Sequence, residues 1–316
     1  MITFQQAYVK SRTVIFSLIV IWILITFAKK NNMELRSNNI LIPVDFGDQS
    51  MIAIDQSYNI ARMANAELNL LHVIDNTPMW GLFSGKEQSD MVSRIETKLR
   101  ELASDIQTKS GLKVNTMIEK GKLVDVIIEK SEQLKSEFIF VGTKSTQDFV
   151  DRIVGSNALR MIREAKCPVI TIKGQAHREG CKNIVLPLDL TKETREKVAY
   201  AVHFAKYFGS TIHATTMSSS TDSYMVNRLR LQLTQVADFI KKEGVECKTQ
   251  FLFTESGNAE MAKSLLEFSH KIEADLLIIM TQQETDVIKY FIGSLAKQII
   301  HNSDVPVMSI VPKKLQ

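Results

Sequence analysis

The amino-acid sequence predicts two tandem α/β domains, each built on a five-stranded parallel sheet with helices on both faces. Short apolar runs alternate with stretches in which apolar residues recur every three or four positions, the patterns of strands and of helices. This alternation occurs twice within 316 residues, a length that suits two ordinary domains. Hydrophobic residues make up 45% of the chain, enough to fill packed cores.

The second half of the chain repeats the first. Residues 39–45 (NILIPVD) return as 183–189 (NIVLPLD), an offset of 144, and 154–156 (VGS) return as 292–294 (IGS), an offset of 138. Offsets this similar across a whole unit indicate tandem domains. We therefore predict an N-terminal extension and two domains joined by a polar linker, with these bounds: 1–32, 33–174, 175–182 and 183–316.

The elements of the first unit follow in order from these patterns. Five apolar runs predict strands, at 40–45, 67–74, 114–121, 138–142 and 168–173. Helices are predicted within 49–66, along the stripe Val92, Ile95, Leu99, Leu102 and Ile106, around Val124, Ile127 and Ile128, and from Ser156 onward. Because such strands need both faces covered, we expect them to be parallel and joined by right-handed crossovers.

The second unit shows the same order of elements. Its long helix is marked by an apolar stripe at Val226, Leu229, Leu233, Val236 and Ile240. Residues 276–280 (LLIIM) and 306–311 (PVMSIV) are predicted strands. The two units are therefore expected to share one fold.

The N-terminal extension contains sixteen nearly unbroken apolar residues, 13–28, between Arg12 and Lys29. About 20 residues cross the hydrocarbon core of a membrane, so this run is short for a span, and no small-residue cleavage site follows it. Three interpretations stay open: a tilted anchor, an uncleaved signal-like segment, or residues that are not translated because initiation occurs at Met33. We expect a cytoplasmic protein, or cytoplasmic domains anchored to the inner membrane if 13–28 is a real anchor.

Charge and cysteine content exclude some classes of function. The net charge is +4, but four of the 39 basic residues lie in 1–32, which leaves 35 basic and 35 acidic residues in the remainder. A neutral body gives no electrostatic reason to predict nucleic-acid binding. The scattered cysteines, Cys167, Cys181 and Cys247, are too few for a disulfide framework and favour a reducing compartment.

The carboxyl ends of the first and fourth strands form the predicted ligand site, because ligands of such sheets bind where the strand order reverses. The first strand ends in Pro43-Val44-Asp45 and the fourth in Gly142. A carboxylate at Asp45 is suited to accept hydrogen bonds from ribose hydroxyls or to hold a metal ion beside a phosphate. The alternative is that Asp45 is a helix cap or a turn residue.

The loop after the fourth strand has the composition of an anion site. Gly142 allows a sharp turn, and Gly155 and Ser156 begin a helix whose free N–H groups and positive dipole end favour phosphate. Ser156 and Asn157 add side-chain donors. By itself such a loop is weak evidence, because many strand ends need glycine for their geometry.

This loop and the strands around it resemble one known family. The spacing Gly142-x2-Ser145-x9-Gly155-Ser156 is similar to the G-x2-G-x9-G-[ST] nucleotide loop of universal stress proteins. Further segments match the family pattern, at 40–45, 71–75, Gly121 and 167–169. The resemblance covers residues 33–314 as two tandem copies.

The resemblance implies a fold and a ligand. The fold is Rossmann-like, of the adenine nucleotide alpha hydrolase type, with ATP or AMP binding in one subfamily, Mg²⁺ carried by the nucleotide near Asp45, and dimers that pair through the last strand. In nucleotide-binding members, the adenine and ribose are surrounded by the residues that match Pro43, Val44, Asp45 and Val73. The phosphates are held by the residues that match Gly142, Gly155, Ser156 and Asn157.

Two departures from the family pattern affect these expectations. Ser145 replaces the second glycine, where a Cβ can obstruct the approach of a phosphate and penalises a positive φ by on the order of 1 kcal/mol, although its hydroxyl is also a donor. The second copy keeps only Gly293 and Ser294 of the loop. It has Met280 and Gln283 at the two earlier glycine positions, with Glu284 and Asp286 nearby, so we expect it to bind no ATP.

No catalytic motif accompanies the loop. The sequence VGTKST lacks the Gly-Lys pair of a Walker A motif, there is no G-x-S-x-G nucleophile elbow, and the six histidines show no metal-ligand spacing. We therefore predict no enzyme, with slow ATP hydrolysis ranked last.

Two classes of function stay open. One is a stress-response protein that binds ATP or AMP in its first domain, while the second is a structural partner. The other is a nucleotide-free interaction module, tethered to a membrane if the anchor is real. In either case the two domains pair within the chain, or the chain forms a homodimer.

Overall fold

The computed structural model describes residues 39–64, 66–75, 83–143, 155–173, 180–188, 194–281 and 292–311. Several predictions fall outside these residues and stay predictions: the anchor at 13–28, Ser145, Asp189, Gln283 and most of the linker. Across the described ranges, no helix is both long and apolar enough to cross a membrane.

The first domain alternates strands and helices in the predicted order. Its strands are β1 (Asn39–Pro43), β2 (Glu67–Asp75), β3 (Val114–Gly121), β4 (Phe138–Gly142) and β5 (Val169–Ile172). Its helices are α1 (Asp48–Ala64), α2 (Gly85–Ser110), α3 (Leu123–Gln133) and α4 (Ser156–Glu164). The predicted strands and helices of this domain are thereby confirmed.

The second domain has the same sequence of elements. Its strands are β6 (Asn183–Leu188), β7 (Thr211–Ser218), β8 (Cys247–Phe253), β9 (Leu276–Met280) and β10 (Val307–Ile310). Its helices are α5 (Thr194–Phe208), α6 (Ser223–Lys242), α7 (Asn258–Lys271) and α8 (Ser294–Asn302). The duplication seen in the sequence is therefore a duplication of structure.

All ten strands belong to one sheet, in the order β3-β2-β1-β4-β5-β10-β9-β6-β7-β8. The five strands of each domain are parallel to one another, as predicted. The domains join where β5 and β10 run antiparallel, with Ile170 opposite Met308. The last strands of the two copies thus pair within a single chain. In the first domain the strand order reverses between β1 and β4, which places the predicted ligand site there.

Each face of the sheet carries one apolar core that crosses the domain boundary. Helices α1, α2, α5 and α6 cover one face, and α3, α4, α7 and α8 cover the other. On the first face the rings of Phe138 and Phe204, one from each domain, meet edge to face with centroids 5.8 Å apart. At the junction Lys173, which is buried, donates a hydrogen bond of 2.8 Å to the carbonyl of His301 at the end of α8.

The long helix α2 shows how local sequence fixes an element. Ser84 caps its start, its hydroxyl accepting from the N–H of Glu87 while the Glu87 carboxylate accepts from the N–H of Ser84. Gly111 ends it in the left-handed conformation, with φ 71°, which glycine adopts without strain. Of the predicted apolar stripe, Leu99 and Ile106 are fully buried.

Candidate functional site

The end of β1 is held against β2 by both backbone polar groups of one residue, Val44. The N–H of Val44 donates to the carbonyl of Leu71 at 2.9 Å. The carbonyl of Val44 lies 2.7 Å from Nδ1 of His72, so Nδ1 carries the proton and donates to it. Val44 itself is buried. Pro43 and Val44 are thus fixed at the carboxyl edge of the sheet, where the sequence placed them.

Val73, on β2, lies two residues beyond Leu71, the last residue of β2 that pairs with β1. Its neighbour two residues earlier, Leu71, directs its carbonyl towards β1 and accepts from Val44. Because backbone direction along a strand has a period of two, Val73 also directs its N–H and C=O to that side. The β1–β2 ladder ends at the pair Pro43 and Leu71, and the described part of β1 and its following turn makes no backbone hydrogen bond to Val73. The N–H donor and the C=O acceptor of Val73 therefore face the space beyond the end of β1, which is the opening at this edge of the sheet.

Asp45 forms the turn that leads into α1. Its carboxylate oxygen Oδ1 accepts from the N–H of Gly47 at 2.9 Å. Burial raises the pKa of Asp45, but hydrogen bonds from the Gly47 backbone and from Ser50 outweigh it, so the net pKa lies below the ordinary value of 3.8. The side chain is nevertheless exposed. The structure places Asp45 in a turn, as the alternative interpretation predicts.

Phe46, between these residues, adopts a conformation unusual for its type. Its φ of 62° lies in the left-handed region, which costs a residue with a Cβ on the order of 1 kcal/mol. Its ring is tilted against that of His72, with centroids 5.3 Å apart, and it packs against the core. Sequence patterns do not predict this contact, although they do place His72 near a strand end. Phe46 and His72 together form one wall of the turn.

Gly142 ends β4 immediately beside α1. A Cβ added there would lie 2.0 Å from the carbonyl oxygen of Gln49 and 2.9 Å from the N of Ser50. The glycine is therefore required by the close approach of the helix backbone, whether or not a phosphate binds. Sequence reasoning missed this role because it depends on how α1 packs across the sheet.

Gly155 differs from Gly142 in this respect. It caps α4 with φ −59° and ψ 153°, a conformation open to any residue. Among the described residues, no atom lies within 4 Å of the position that its Cβ would take. Ser156 and Asn157 follow it in the first turn of α4, and both are exposed. The first N–H groups of a helix have no partner within it, so this end of α4 can accept an anion.

The structure brings most of the predicted site residues to one edge. Strands β2, β1 and β4 are neighbours, and their carboxyl ends carry Val73, Val44 and Gly142 respectively. The loop from β4 leads into α4, although Ser145 within it lies outside the described residues. This edge offers backbone donors and acceptors together with an exposed helix start.

Comparison with known proteins agrees with this arrangement. A model described as the universal stress protein family matches residues 37–173 and matches again at 180–310. The chain belongs to the universal stress protein family. The two matches correspond to the two halves of the ten-stranded sheet.

Individual relatives cover one copy or both. A universal stress protein of Methanocaldococcus jannaschii is 29% identical over 145 residues, 45% of this chain and 85% of the relative. The universal stress protein A homolog 1 of Coxiella burnetii is 29% identical over 140 residues, 42% of this chain and 94% of the relative. A solved universal stress protein of Archaeoglobus fulgidus covers 90% of this chain and 99% of its own, with a TM-score of 0.72 and 23% identity. That likeness supports the two-domain fold.

At the equivalent edge, the second universal stress protein domain differs from the first. Its first ladder runs one step further than the first domain's, to the pair Leu188 and Thr216. Met280 stands at the end of β9 and packs partly buried against the core. Asn258, the first residue of α7, donates to the hydroxyl of Ser294 at 2.6 Å. The first turn of α8 is therefore already in contact with protein.

In the described ranges, no group of three or more His, Cys, Asp and Glu side chains is placed to hold a metal ion. The three cysteines are free, and burial raises the pKa of the Cys167 thiol to about 12 and that of Cys247 to about 11. Such thiols are protonated and unreactive near neutral pH. His213 is buried and bonded to Asn183, as expected for a core histidine.

Proposed function

We propose that the first domain binds ATP or AMP at the carboxyl edge of its strands. The observation that carries this proposal is the main chain of Val73, whose N–H and C=O point into the opening where β1 has ended. An adenine edge presents one acceptor and one donor side by side, which complements a residue that offers both. Val44 and Pro43 form the adjoining apolar wall.

The phosphates would lie at the start of α4. Gly155 is suited to this position because it has no side chain and no described atom lies within 4 Å of the place that its Cβ would take, so a phosphate has space to approach the backbone closely. Its own backbone conformation does not require glycine. The exposed hydroxyl of Ser156 and amide of Asn157 are suitable donors. Asp45 is an exposed carboxylate at this edge, suited to accept from the ribose or to bind Mg²⁺ that arrives with the nucleotide, so the residues present fit the group.

We propose binding without catalysis. Asp45 is held below its ordinary pKa by the turn, which makes it a poor base for activating water. His72, a second titratable side chain at this edge, uses Nδ1 to hold Val44. We place the protein in the cytoplasm, which its free cysteines favour.

The second domain would act as the structural partner of the first. It supplies β10 to continue the sheet and Phe204 to complete the core beneath β4. Because this pairing uses the last strand of each copy, the chain does not need a second chain to cover that edge.

A pair of matched variants tests the proposal. Ser156→Asp adds a negative charge to the first turn of α4, which stabilises a helix start but repels phosphate. Ser294→Asp makes the same change in α8. Isothermal titration with ATP and with AMP is expected to show binding that Ser156→Asp weakens at least about tenfold, the effect of about 1.4 kcal/mol. Ser294→Asp should leave it unchanged.

The second candidate is a nucleotide-free interaction module. It is favoured by the fact that Asp45 and Gly142 both have structural reasons to be present, in the turn and in the packing against Gln49. The absence of both heat and thermal stabilisation at millimolar ATP, with the protein folded, would decide for this candidate.

A further inference from the structure

The outer edge of β8 is one of the two ends of the ten-stranded sheet. One side of β8 pairs with β7 along its whole length, and no described strand pairs with the other side. Such an edge presents a row of unused backbone N–H and C=O groups, and proteins usually protect it with charges or a covering segment. The protection differs at the two ends of this sheet.

At the end of β8 the side chains are aromatic. Phe253 is 63% exposed, and its ring lies 4.8 Å from that of Phe251, two residues earlier on the same face. Four large hydrophobic side chains are exposed among the described residues, and three of them lie on β8 or on α6, the helix that packs on it. Exposed apolar surface is therefore concentrated here.

Two cations on α6 flank this row. The guanidinium of Arg230 lies 4.7 Å from the ring centroid of Phe251. Lys241 is eleven residues further along α6, three turns, and so points to the same side of the helix. Burial raises the pKa of Cys247, the first residue of β8, and the charges of Lys241 and of Asp238, on the same helix, act on that pKa in opposite directions. Neither cation has a carboxylate partner in the part of the chain that the structure describes.

The opposite end of the sheet, β3, provides an internal control. Its charges are paired: Glu119 with Lys130 at 2.6 Å, and Lys113 with Glu67 at 2.7 Å. Lys120 pairs in the sheet with Ile74, and Phe253 pairs with Ser218, which is 144 residues after Ile74. Lys120 therefore occupies the place of Phe253. Ile118 likewise occupies the place of Phe251, so the aromatic pair occurs on β8 and not on β3.

We propose that the edge formed by β8, Arg230 and Lys241, here named the β8 edge, binds an extended acidic peptide segment of another protein as an eleventh strand. The backbone of the peptide would use the open ladder of β8. Its apolar side chains would pack on Phe251 and Phe253. Carboxylates about five or six residues apart would reach Arg230 and Lys241, because three helical turns span about 16 Å and a strand rises about 3.3 Å per residue.

A capped heptapeptide serves as the probe, Glu-Thr-Val-Thr-Val-Thr-Glu, with a lysine version as its control. It places two valines between the charges on one face of a strand. Fluorescence anisotropy at low salt is expected to show the glutamate peptide binding about threefold to tenfold tighter than the lysine peptide, a difference that shrinks as salt is added. Amide hydrogen exchange should show new protection in β8 and none in β3.

Three variants locate the site. Arg230→Glu and Phe253→Glu change exposed residues, so the fold is retained, and each should reduce binding of the glutamate peptide at least threefold. Lys120→Glu, at the same place on β3, should not. Equal binding of the two peptides, no binding at millimolar peptide, or protection of β3 instead of β8 overturns the proposal. Concentration-dependent self-association that protects β8 without peptide also overturns it, since the occupant would then be a second copy of this chain.

Discussion

The end of β4 in the first domain and the end of β9 in the second hold equivalent positions in the sheet. Each is followed by a threonine, Thr143 or Thr281, whose N–H and hydroxyl both donate to the carbonyl of the isoleucine that ends the neighbouring strand. Yet the last strand residue is Gly142 in one domain and Met280 in the other. The backbone geometry is preserved while the side chain is not.

The difference has a steric cause in the first domain. Helix α1 starts three residues after Asp45, and its backbone at Gln49 lies where a Cβ of Gly142 would be. In the second domain the side chain of Met280 packs partly buried against the core. A glycine at a strand end thus reports how closely a helix packs there. Its presence is compatible with a nucleotide site but does not prove one.

The largest expected effect comes from exchanging these two residues. Gly142→Met forces a Cβ into the backbone of α1 and should lower the free energy of unfolding by about 3 kcal/mol. Met280→Gly removes only a partly buried side chain and should cost about 1 to 2 kcal/mol. Urea denaturation followed by circular dichroism measures both. A Gly142→Met protein as stable as the wild type would show that the contact with Gln49 is not that close.

A second asymmetry lies at the domain junction. Lys173 follows β5, while Val311, 138 residues later, follows β10. Lys173→Met removes a buried charged hydrogen bond to the end of α8 and should cost about 2 kcal/mol. Lys166→Met, which removes an exposed ion pair with Glu132, should cost less than about 0.5 kcal/mol. Equal unfolding midpoints for the two variants would contradict a role for Lys173 in holding the two domains together.

A smaller effect is expected on nucleotide affinity. Ser145→Gly removes the Cβ that departs from the family loop, and it should tighten ATP binding by about 1 kcal/mol, roughly fivefold. Its matched variant in the second domain is Gln283→Gly. We expect no binding there, because Met280 remains and Asn258 still contacts Ser294. Calorimetric titration of both variants measures this, and an affinity that Ser145→Gly leaves unchanged or weakens would count against the steric argument.

The fold could be predicted from the sequence because it depends on local patterns that occur in both halves of the chain. Short apolar runs and helical stripes located all five strands and four helices of the first domain. The offsets between the halves revealed the duplication, and the resemblance implied pairing through the last strands, which β5 and β10 confirm within the chain. These patterns can be seen in a sequence because the residues of each strand or helix show by their spacing which side chains it buries.

The site could be predicted less well because it depends on contacts between elements that are distant from each other in the sequence. Gly142 and Gly155 look alike in sequence, but only the first meets another backbone. The contact between His72 and Val44 joins residues 28 apart. Phe46 has a left-handed backbone that no propensity predicts for phenylalanine. Such roles arise from packing between elements, which a single sequence does not display.

The smallest expected effect concerns Asp45, the residue of this turn that recurs in the second domain, as Asp189. The pKa of Asp45 is lowered in the folded protein, so its carboxylate contributes stability above the unfolded pKa of about 3.8, and this contribution is lost as pH falls through the folded pKa. Asp45→Asn keeps an acceptor for Gly47 but removes the charge. At pH 7 we expect it to cost no more than a few tenths of a kcal/mol, because the side chain is exposed and screened.

The pH dependence distinguishes this effect from a general loss of packing. The difference in unfolding midpoint between wild type and Asp45→Asn should shrink as pH is lowered from 7 to below 3.8. Glu101→Gln, which changes an exposed carboxylate on α2, is the control for nonspecific charge effects. Asp189→Asn applies the same test to the second domain. A deficit for Asp45→Asn that stays constant down to pH 2.5 would mean that the turn depends on the shape of the side chain and not on its charge. A deficit of the same size and pH dependence in Asp189→Asn would mean that the turn serves folding in both domains, independently of the nucleotide proposed for one.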